Sequence, residues 1–594
     1  MSETVVLRPD SAPSSEGIWD PPDNLAPLDA FPDLTASVST EALTRWFWTL
    51  LILGVAMRLV RYLLRFPLWE DEAGVSANLL DRGYRELLLP LHYHQIAPTL
   101  FLWGQLALVR LLGFSEYTLR LVPFLCSMGS FFLFVHVARR LLRGATLLLA
   151  VGLFAISYPL TRYAAEAKPY ACDLFLALAM LALVLEWLRR PDQQQRWLWG
   201  LAAMVVPAVG YSYAAVFVSG GISLAIAYRL WRSGGRGWRP WLVFNLLLVA
   251  SFVTVLIVNH SAVSRAEQQS MDRYWVDSFP PLTHPWKALV WLVQIHCEGM
   301  LGYPAGGPNW GSVISFLLCL AGVVILLRRR RGFLLALLLA PLAFNLVAAA
   351  MHRYPYGGHA RMSLFMAPAF CMLIGLGLAG GASMAAALRG RMMRCLGVES
   401  DSNLPYARTA VLGLLGLLLL FGAGVLLRDL WWPYKSGTTL RAKEFAQWFW
   451  TDLAEDSELV CLETDLKANL SPGSYENGLS SLYLCNQRIY SPRHARGEPP
   501  RWDRVSAKRP LRCVLFRSKS WERDTRPLER WLEGMQRDYQ LVTRDKYPAP
   551  FYDKSDRRTI TVDTIEVFKF VPKVAASRTS LASLQPRSDA PKSR

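Results

Sequence analysis

The stretch LFLALAMLALVLEWL, residues 174–188, is apolar throughout except for the single charge of Glu186. Similar runs recur along the chain, among them LLILGVAMRLV at 50–60 and LLGLLLLFGAGVLL at 414–427. Each run, with its apolar flanks, is about long enough to cross roughly 30 Å of hydrocarbon. Because a soluble protein does not need so many runs of this kind, the sequence predicts an α-helical polytopic membrane protein.

The composition agrees with that class and argues against nucleic-acid binding. The chain has 594 residues, of which 53% are hydrophobic and 19% charged, and its mean hydropathy is +0.22. Its 64 Lys and Arg against 46 Asp and Glu give a formal net charge of +18, which in a soluble protein would indicate a nucleic-acid partner. Here the arginines cluster in short loops between apolar runs, without an interleaved basic and aromatic face, and membrane orientation accounts for them.

The apolar runs predict about eleven transmembrane helices. These are at 44–64, 117–138, 145–161, 171–188, 196–213, 214–231, 241–259, 311–327, 333–351, 362–381 and 409–427. A further run, 98–112, is short for a crossing. If it crosses, the basic loop at 139–143 moves to the side opposite the other basic loops, so we predict a re-entrant or interfacial helix there. The basic loops then lie in the cytoplasm, with the N-terminus, and the C-terminus lies outside.

The segments outside the spans differ in composition. Residues 1–43, rich in Pro, Ser and Asp, predict a disordered cytoplasmic tail, and 574–594 predict a second disordered tail. Between the catalytic membrane domain predicted at 44–428 and that tail, β-branched alternation predicts a small extracytoplasmic α/β or α+β domain at 429–573. Cys461 and Cys485 of that domain either form a disulfide or remain free thiols, and the sequence leaves both open.

Four polar clusters lie on the predicted outer side. Glu70-Asp71-Glu72 is either a solvated acidic helix start or a site whose carboxylate acts as a base or holds a cation. The other clusters combine histidines, tyrosines and bases: His92, Tyr93 and His94; Arg162, Glu166, Lys168 and Tyr170; His352, Arg353, Tyr354, His359 and Arg361. Each has a simpler interpretation as an ion pair or a lipid-facing side chain. Their common location nevertheless favours an active site at the membrane surface, where helix-end cations hold phosphate.

Four motifs follow one another in a characteristic order. They are LWEDEAG (68–74) with its Asp-Glu pair, GFSEYTLR (113–120) after the helix that begins near Pro98, YAAEAKPYA (163–171) and ARMSLFMAP (360–368). This order resembles the GT-C class of integral-membrane glycosyltransferases, in particular the bacterial branch of aminoarabinose transferases, protein O-mannosyltransferase-like enzymes and lipopolysaccharide-core galacturonosyltransferases. The chain departs from the pattern in having Lys168 where Arg is usual, Met362 where Tyr is usual, and His94-Gln95-Ile96-Ala97-Pro98 where the aminoarabinose enzymes have an acid-lysine-proline stretch.

The resemblance implies transfer of a sugar from a polyprenyl-phosphate donor to an acceptor hydroxyl, with inversion, on the outer face of a bacterial inner membrane. It implies that Asp71 is the general base and that Glu72 orients it. Donor phosphate binding is expected from Lys168, Arg361, Arg353 and His94, and further substrate contacts from Tyr93, Glu166, Tyr170 and His359. The acceptor is a lipid, a glycan or a protein. No cofactor is expected, and because the chain has no DxD motif at these positions we expect metal independence, although some relatives use a divalent cation.

Three other functions compete with this prediction. A lipid or solute transporter would place its functional polar residues inside the spans, which contain few ionisable groups beyond His136 and Asp173. An O-antigen ligase or polymerase also uses a polyprenyl-linked donor, but relies on arginines and a histidine of a late outer loop. A scaffold whose C-terminal domain binds envelope partners would leave the membrane part inert.

Overall fold

The structure is a computed structural model whose description covers most of the membrane part and portions of the C-terminal part. The described residues are 27–29, 39–93, 95–190, 193–233, 237–262, 274–396, 404–435, 437–449, 459–463, 485–486, 488–490, 510–518, 526–547 and 562–573.

Most of the described residues are helical. The helices are α1 Thr40–Leu63, α2 Glu70–Ala77, α3 Thr99–Leu112, α4 Glu116–Leu141, α5 Gly144–Ile156, α6 Tyr158–Arg162, α7 Tyr170–Arg189, α8 Gln194–Tyr211, α9 Ala215–Ser233, α10 Trp238–Ala262, α11 Pro285–Cys297, α12 Val313–Arg328, α13 Gly332–Ala350, α14 Ala367–Cys395, α15 Leu404–Trp431, α16 Gly437–Trp448 and α17 Arg526–Met535. The predicted spans overlap these helices, because a backbone crossing lipid must satisfy its hydrogen bonds internally. The span predicted at 145–161 covers both α5 and α6, and the span predicted at 362–381 begins in the 3₁₀ segment Ala360–Met366.

Seven helices in the described part of the chain are long and apolar enough to cross a membrane. An eighth crossing results if α5 and the following Tyr158–Ala165 count as one span, bent by 44°. The chain is therefore an integral membrane protein of helical fold. Whether α8, α9 and the shorter α12 also cross stays a prediction, as does the interfacial placement of α3, a helix of 14 residues.

Close helix packing and aromatic stacking hold the bundle together. The rings of Phe134 in α4 and Phe154 in α5 stack with centroids 4.1 Å apart, and both are fully buried. In α12 and α14, a Cβ at Gly322 or Gly377 would overlap the carbonyl oxygen of Leu373 or Leu318. Small residues at such crossings let two membrane helices approach closely.

Residues 27–29, which the sequence places in a disordered tail, pair with the loop between α4 and α5. The Leu28 N–H donates to the Leu141 carbonyl at 2.7 Å, and the Arg143 N–H donates to the Leu28 carbonyl at 3.1 Å. Asp29 is buried and accepts from the Thr146 hydroxyl at 3.3 Å. These contacts anchor a short piece of the N-terminal segment, and the first helix begins at Thr40 rather than at 44.

The C-terminal part contains a sheet of four described strands in the order β1-β2-β4-β3. They are β1 Leu459–Glu463, β2 Leu511–Ser518, β3 Tyr539–Tyr547 and β4 Val562–Pro572. β1 and β2 are parallel, whereas β4 pairs antiparallel with β2 and with β3. Trp531 of α17 packs against Phe568 of β4, with ring centroids 5.4 Å apart. The predicted mixture of helix and strand is present, and the boundaries of the domain stay predictions.

Candidate functional site

The Asp-Glu pair lies in the first turn of α2, which begins at Glu70, shortly after α1 ends at Leu63. Glu72 caps its own helix, because the Trp69 N–H lies 3.4 Å from Glu72 Oε2. Acidic residues in a first turn also interact favourably with the helix dipole. α2 is short, and buried side chains fix its position, including Ala73 and Val75.

Glu72 is fully buried and is bound by three other segments of the chain. Arg120 of α4 donates its Nε and Nη2 to the two carboxylate oxygens at 2.8 Å each, and the Ala167 N–H donates to Oε1 at 2.9 Å. Burial raises the pKa of the Glu72 carboxyl, but the charges of Arg120 and Lys435 outweigh that effect and lower the pKa to about 2. A carboxylate held in this way is a structural anion.

Asp71 points to a different set of groups and keeps 30% of its side chain exposed. Arg361, at the start of the 3₁₀ segment Ala360–Met366, donates its Nη1 to Asp71 Oδ2 at 2.6 Å. Burial raises the pKa of Asp71, but the positive charges of Lys168 and Arg361 hold it below its usual value. Asp71 is therefore ionised at neutral pH and accessible.

Lys168 lies in the loop that connects α6 and α7. Its Nζ donates to Gln95 Oε1 at 2.6 Å, and the Gln95 amide in turn donates to the Tyr93 carbonyl at 3.1 Å. The side chain is almost fully buried, and this burial lowers the pKa of Lys168, an effect that Asp71 partly offsets. Lys168 is thus an ammonium group near Asp71 whose charge responds to its surroundings.

Lys435 enters the site from the short segment between α15 and α16. Its Nζ forms an ion pair with Glu166, lies 3.5 Å from Glu72 Oε2, and sits 5.0 Å from the centroid of the Trp69 ring. Burial lowers the pKa of Lys435, and Glu166 opposes that effect. Trp69 also receives Arg361, whose guanidinium lies 5.4 Å from the ring centroid. A single indole is therefore near both cations.

The site has an excess of positive charge and unused donors. Three carboxylates, of Asp71, Glu72 and Glu166, face four cations, of Arg120, Lys168, Arg361 and Lys435. Among the described residues, Arg361 Nε, Trp69 Nε1 and Glu166 Oε2 are buried without a hydrogen-bond partner. Buried polar atoms normally have a hydrogen-bond partner, so these atoms are available to water or to a ligand. An anionic, hydrogen-bonding ligand would match this arrangement.

The structure brings together most, but not all, of the predicted site residues. Asp71, Glu72, Glu166, Lys168 and Arg361 converge as described above. Of the other predicted contacts, Tyr170 packs against Tyr163 with ring centroids 5.5 Å apart, and Tyr93 contributes its carbonyl to Gln95. His359 is exposed and lies 5.7 Å, between ring centroids, from Trp275, which itself lies 5.6 Å from the Arg361 guanidinium.

Two predicted phosphate ligands are not placed at the site. Arg353 is exposed beyond the end of α13, where its N–H donates to the Ala348 carbonyl at 2.9 Å, and no described contact joins it to the site. His94 lies outside the described residues. Both roles stay predictions.

A second network joins the C-terminal segment to the base of α4. Glu116 is bound by Arg65 at 2.7 Å and by the Tyr490 hydroxyl at 3.1 Å, with Lys443 of α16 at 3.4 Å. The buried Cys485 thiol lies 3.5 Å from the Ala73 carbonyl of α2. Of the two alternatives that the sequence leaves open for Cys485, the structure has the free thiol, and the Cys461 side chain lies outside the described part. These contacts hold in place the C-terminal segment that contains Lys435.

Sequence reasoning missed Arg120 as a site residue, although its motif was noted, and it missed Gln95, Trp69 and Lys435. A signal was available for Lys435, an isolated base directly after the aromatic end of α15 in WWPYK, 431–435. Among the described residues no group of three or more His, Cys, Asp and Glu is placed to hold a metal ion.

Comparisons with known proteins identify the family. A family model, DUF6541, described as a family of unknown function, matches residues 90–473. The chain belongs to DUF6541. The matched range contains Lys168, Arg361 and Lys435 of this DUF6541 protein, and it begins after Asp71 and Glu72. No curated protein matches the chain.

The solved structures that resemble this DUF6541 protein include two of ArnT and one of AglB. ArnT from Cupriavidus metallidurans in the apo state is 12% identical, with a TM-score of 0.43, covering 89% of this chain and 98% of that one. The same protein bound to undecaprenyl phosphate gives 13% identity, a TM-score of 0.43 and coverages of 92% and 100%. The oligosaccharyltransferase AglB from Archaeoglobus fulgidus, in complex with an inhibitory peptide and a dolichol-phosphate, is 12% identical, with a TM-score of 0.38. That match covers 68% of this chain and 58% of the AglB chain.

Proposed function

We propose that this protein transfers a sugar from a polyprenyl-phosphate donor to an acceptor hydroxyl at the outer face of the membrane. The observation that carries the proposal is the environment of Asp71, an ionised and partly exposed carboxylate that Arg361 binds at 2.6 Å and Lys168 faces. A base and a pair of phosphate-binding cations in one place are what displacement of a phosphate-linked sugar requires.

The two neighbouring acids have different roles in this proposal. Glu72 is fully buried and committed to Arg120, Ala167 and Lys435, so it positions α2 and the loop that carries Lys168. Asp71 is the acid with access to a substrate. The acceptor hydroxyl gives its proton to Asp71, and its oxygen forms a bond to the anomeric carbon. The bond from that carbon to the phosphate oxygen breaks, its electron pair leaves with the phosphate, and the configuration inverts.

The charge balance explains how an aspartate of low pKa serves as the base. The cations that lower the pKa of Asp71 are Lys168 and Arg361, which are also the proposed phosphate ligands. When the donor phosphate binds them, part of their positive charge is neutralised, and the pKa of Asp71 rises toward its usual value. The carboxylate thereby becomes a stronger base only when the donor is bound.

The donor class follows from the membrane setting and from the motif resemblance. A phosphate at helix ends beside apolar helices suits a lipid-linked donor, whose chain would lie in the hydrocarbon. A polyprenyl phosphate is the kind of ligand named for the compared ArnT and AglB structures. For this chain we propose the same kind of carrier in a bacterial inner membrane, with the N-terminus inside and no metal ion in the reaction.

The test is transfer by purified protein in lipid nanodiscs, supplied with a panel of polyprenyl-phosphate sugars and membrane acceptors. The wild type is compared with Asp71→Asn, which keeps the size of the side chain and removes its basicity. We expect Asp71→Asn to lower the rate of donor consumption by roughly 10²- to 10⁴-fold.

Glu70→Gln is the matched control, because it removes a charge from the same helix turn one residue away, and we expect its rate to remain within about twofold of wild type. Full transfer by Asp71→Asn contradicts the assignment of the base. If the wild type consumes no donor of the panel, the proposed transfer is wrong and the transporter or scaffold function gains support.

A further inference from the structure

The membrane segment that leads into the candidate site is broken between α5 and α6. Its two pieces, Gly144–Ile156 and Tyr158–Ala165, meet at an angle of 44°. Pro159 lies directly after the break, and a proline has no backbone N–H and clashes with the carbonyl four residues earlier. Such a break leaves carbonyl groups without their helical donors, which is costly in a membrane unless another group binds them.

Two carbonyl groups lose their donors at this break. In an uninterrupted helix, the Phe154 carbonyl would accept from the N–H of residue 158, and the Ala155 carbonyl from that of residue 159. The Tyr158 N–H instead donates to the Pro304 carbonyl at 2.8 Å, and Pro159 has no N–H to give. The carbonyl oxygens of Phe154 and Ala155 therefore need other partners.

Arg58 of α1 supplies both of the missing donors. Its Nη1 donates to the Ala155 carbonyl at 3.0 Å, and its Nη2 donates to the Phe154 carbonyl at 3.2 Å. Nη1 also donates to the Gly54 carbonyl of α1 at 2.8 Å, and Arg58 is only 1% exposed. The guanidinium carbon lies 4.7 Å from the centroid of the Phe131 ring in α4. These contacts hold the end of α5 against α1 and α4.

Arg58 differs in this respect from the other buried arginine of α1. Arg61 forms an ion pair with Asp429 of α15 at 2.7 Å. All three hydrogen bonds of Arg58 among the described residues go to backbone carbonyls instead. A positive charge in the last turn of a helix interacts favourably with the helix dipole, and an arginine that binds carbonyls inside a membrane segment marks a functional position. The contacts therefore indicate a cap on the end of α5.

The chain beyond the break leads directly into the candidate site. α6 is soon followed by Glu166, Ala167 and Lys168, which all belong to the site. The Ala167 N–H, for example, donates to Glu72 Oε1 at 2.9 Å. Because α6 has only five residues, its direction at the break determines where these three residues lie relative to Asp71.

We propose that Arg58 is a positioning residue for the transfer reaction, because its cap on α5 sets the direction of α6 and thereby the location of Lys168 beside Asp71. Its described contacts are to backbone carbonyls and aromatic rings, so it acts through the chain and not on a substrate. The role of Arg58 in transfer rests on the proposed function, whereas its effect on the segment 157–168 does not.

The first measurement is hydrogen–deuterium exchange of the full chain in lipid nanodiscs, which requires no substrate. Arg58→Met removes the donors and fills much of the same space. We expect exchange in the peptide 157–168 to become roughly tenfold faster, because this segment loses its fixed end. Unchanged exchange in Arg58→Met overturns the proposal.

Trp187→Leu is the matched control for this measurement. It removes a ring that is 1% exposed, near the end of α7 that lies away from Tyr170. Exchange at 157–168 should stay within about twofold of wild type, because the two positions share no partner. Equal acceleration in Trp187→Leu would show a general loss of stability and overturn the proposal.

The second measurement is the pH profile of kcat/KM for transfer. Burial raises the pKa of Asp71, and the charges of Lys168 and Arg361 hold it below its usual value, so displacement of Lys168 should move the acidic decline upward. We expect this shift in Arg58→Met, with a loss of kcat/KM at neutral pH of roughly 10²-fold, the cost of a misplacement of about 1 Å. Trp187→Leu should keep the acidic decline of the wild type. A lower rate in Arg58→Met with an unmoved acidic decline would show a merely structural role and overturn the proposal.

Arg58→Lys is the conservative variant. Its ammonium group keeps the charge and a donor, so its pH profile should lie closer to that of the wild type than the profile of Arg58→Met does. If Arg58→Met does not fold, faster exchange at 157–168 in Arg58→Lys supports the proposal and unchanged exchange overturns it. If the wild type transfers no sugar, the proposed function fails together with the role of Arg58 in transfer, while the exchange result still decides whether Arg58 holds the segment.

Discussion

Two buried glutamates, one near each end of α4, are both paired with an arginine of that helix, yet their surroundings differ. At the candidate site, the side chains of Glu72 and Arg120 are 0% and 2% exposed. At the opposite end, those of Glu186 and Arg140 are 8% and 26% exposed. The first pair is excluded from water on both sides, whereas the cation of the second pair is partly exposed.

The sequence distances of the partners differ as well. The partners of Glu72 are Arg120, Ala167 and Lys435, which lie on three segments far apart in the chain. Those of Glu186 are His136, Arg140 and Arg190, all near the ends of α4 and α7. The first acid therefore fixes distant segments relative to one another, as a reaction centre requires. The second holds the ends of α4 and α7 together.

Replacing each glutamate by glutamine should lower the free energy of unfolding by different amounts at the two ends of α4. Glu72→Gln leaves the buried guanidinium of Arg120 without its anion, and breaking a buried pair costs about 3–5 kcal/mol. Glu186→Gln should cost about 1 kcal/mol or less, because Arg140 and Arg190 regain water. Thermal unfolding in the same detergent measures both. Equal losses would contradict the proposed difference between the two ends.

Replacing Lys435 should break the link between the C-terminal segment and the site. Lys435→Met removes the cation between Glu166 and Glu72 and exposes these acids to mutual repulsion, so the loop that carries Lys168 loses its fixed position. We expect kcat of the transfer to fall by roughly 10²-fold, the effect of losing one preorganised charged group. Steady-state kinetics on wild type and variant provide the measurement.

Lys443→Met is the matched control for Lys435→Met. Lys443 lies in the same C-terminal segment, is also near an acid, Glu116, and is more exposed than Lys435. It should lower kcat less than about threefold, since its role is shared with Arg65 and Tyr490. A similar decrease of kcat in both variants would show that the C-terminal segment as a whole has lost its contacts, and that the charge of Lys435 has no special role.

The helical membrane fold could be predicted from the sequence because its main requirement is local. A run such as 174–188 must form a helix wherever it meets lipid, and α7 covers it. The β-branched alternation of 539–547 likewise predicts the strand β3. The pairing of Leu28 with Leu142 has no such local pattern, because an isolated bridge depends on where another segment lies.

Residues of the candidate site could be predicted from the sequence only where they lie in a recognisable short motif. Asp71, Lys168 and Arg361 each lie in a motif whose residue types suggest acid or phosphate chemistry. Lys435 does not, since it becomes a site residue only because the chain folds back after α15 and brings its ammonium group to Glu166. Arg353 is the opposite case: it belongs to a polar cluster in the sequence, its side chain is exposed in the structure, and its role stays a prediction.

The pH dependence of kcat/KM gives the finest test of the site, because it reports the pKa values of the free enzyme. Asp71 must be ionised, and its lowered pKa places the acidic decline of activity below about pH 4, the usual range of an aspartate. Lys168 must be protonated, and since burial lowers its pKa, the alkaline decline should begin below about pH 10.4.

Lys168→Arg should move the alkaline decline upward, because a guanidinium keeps its proton. Arg361→Gln should move the acidic decline upward, since Asp71 loses a stabilising cation. An alkaline decline that stays in place in Lys168→Arg would assign it to Lys435, the other buried lysine of the site whose pKa is lowered by burial.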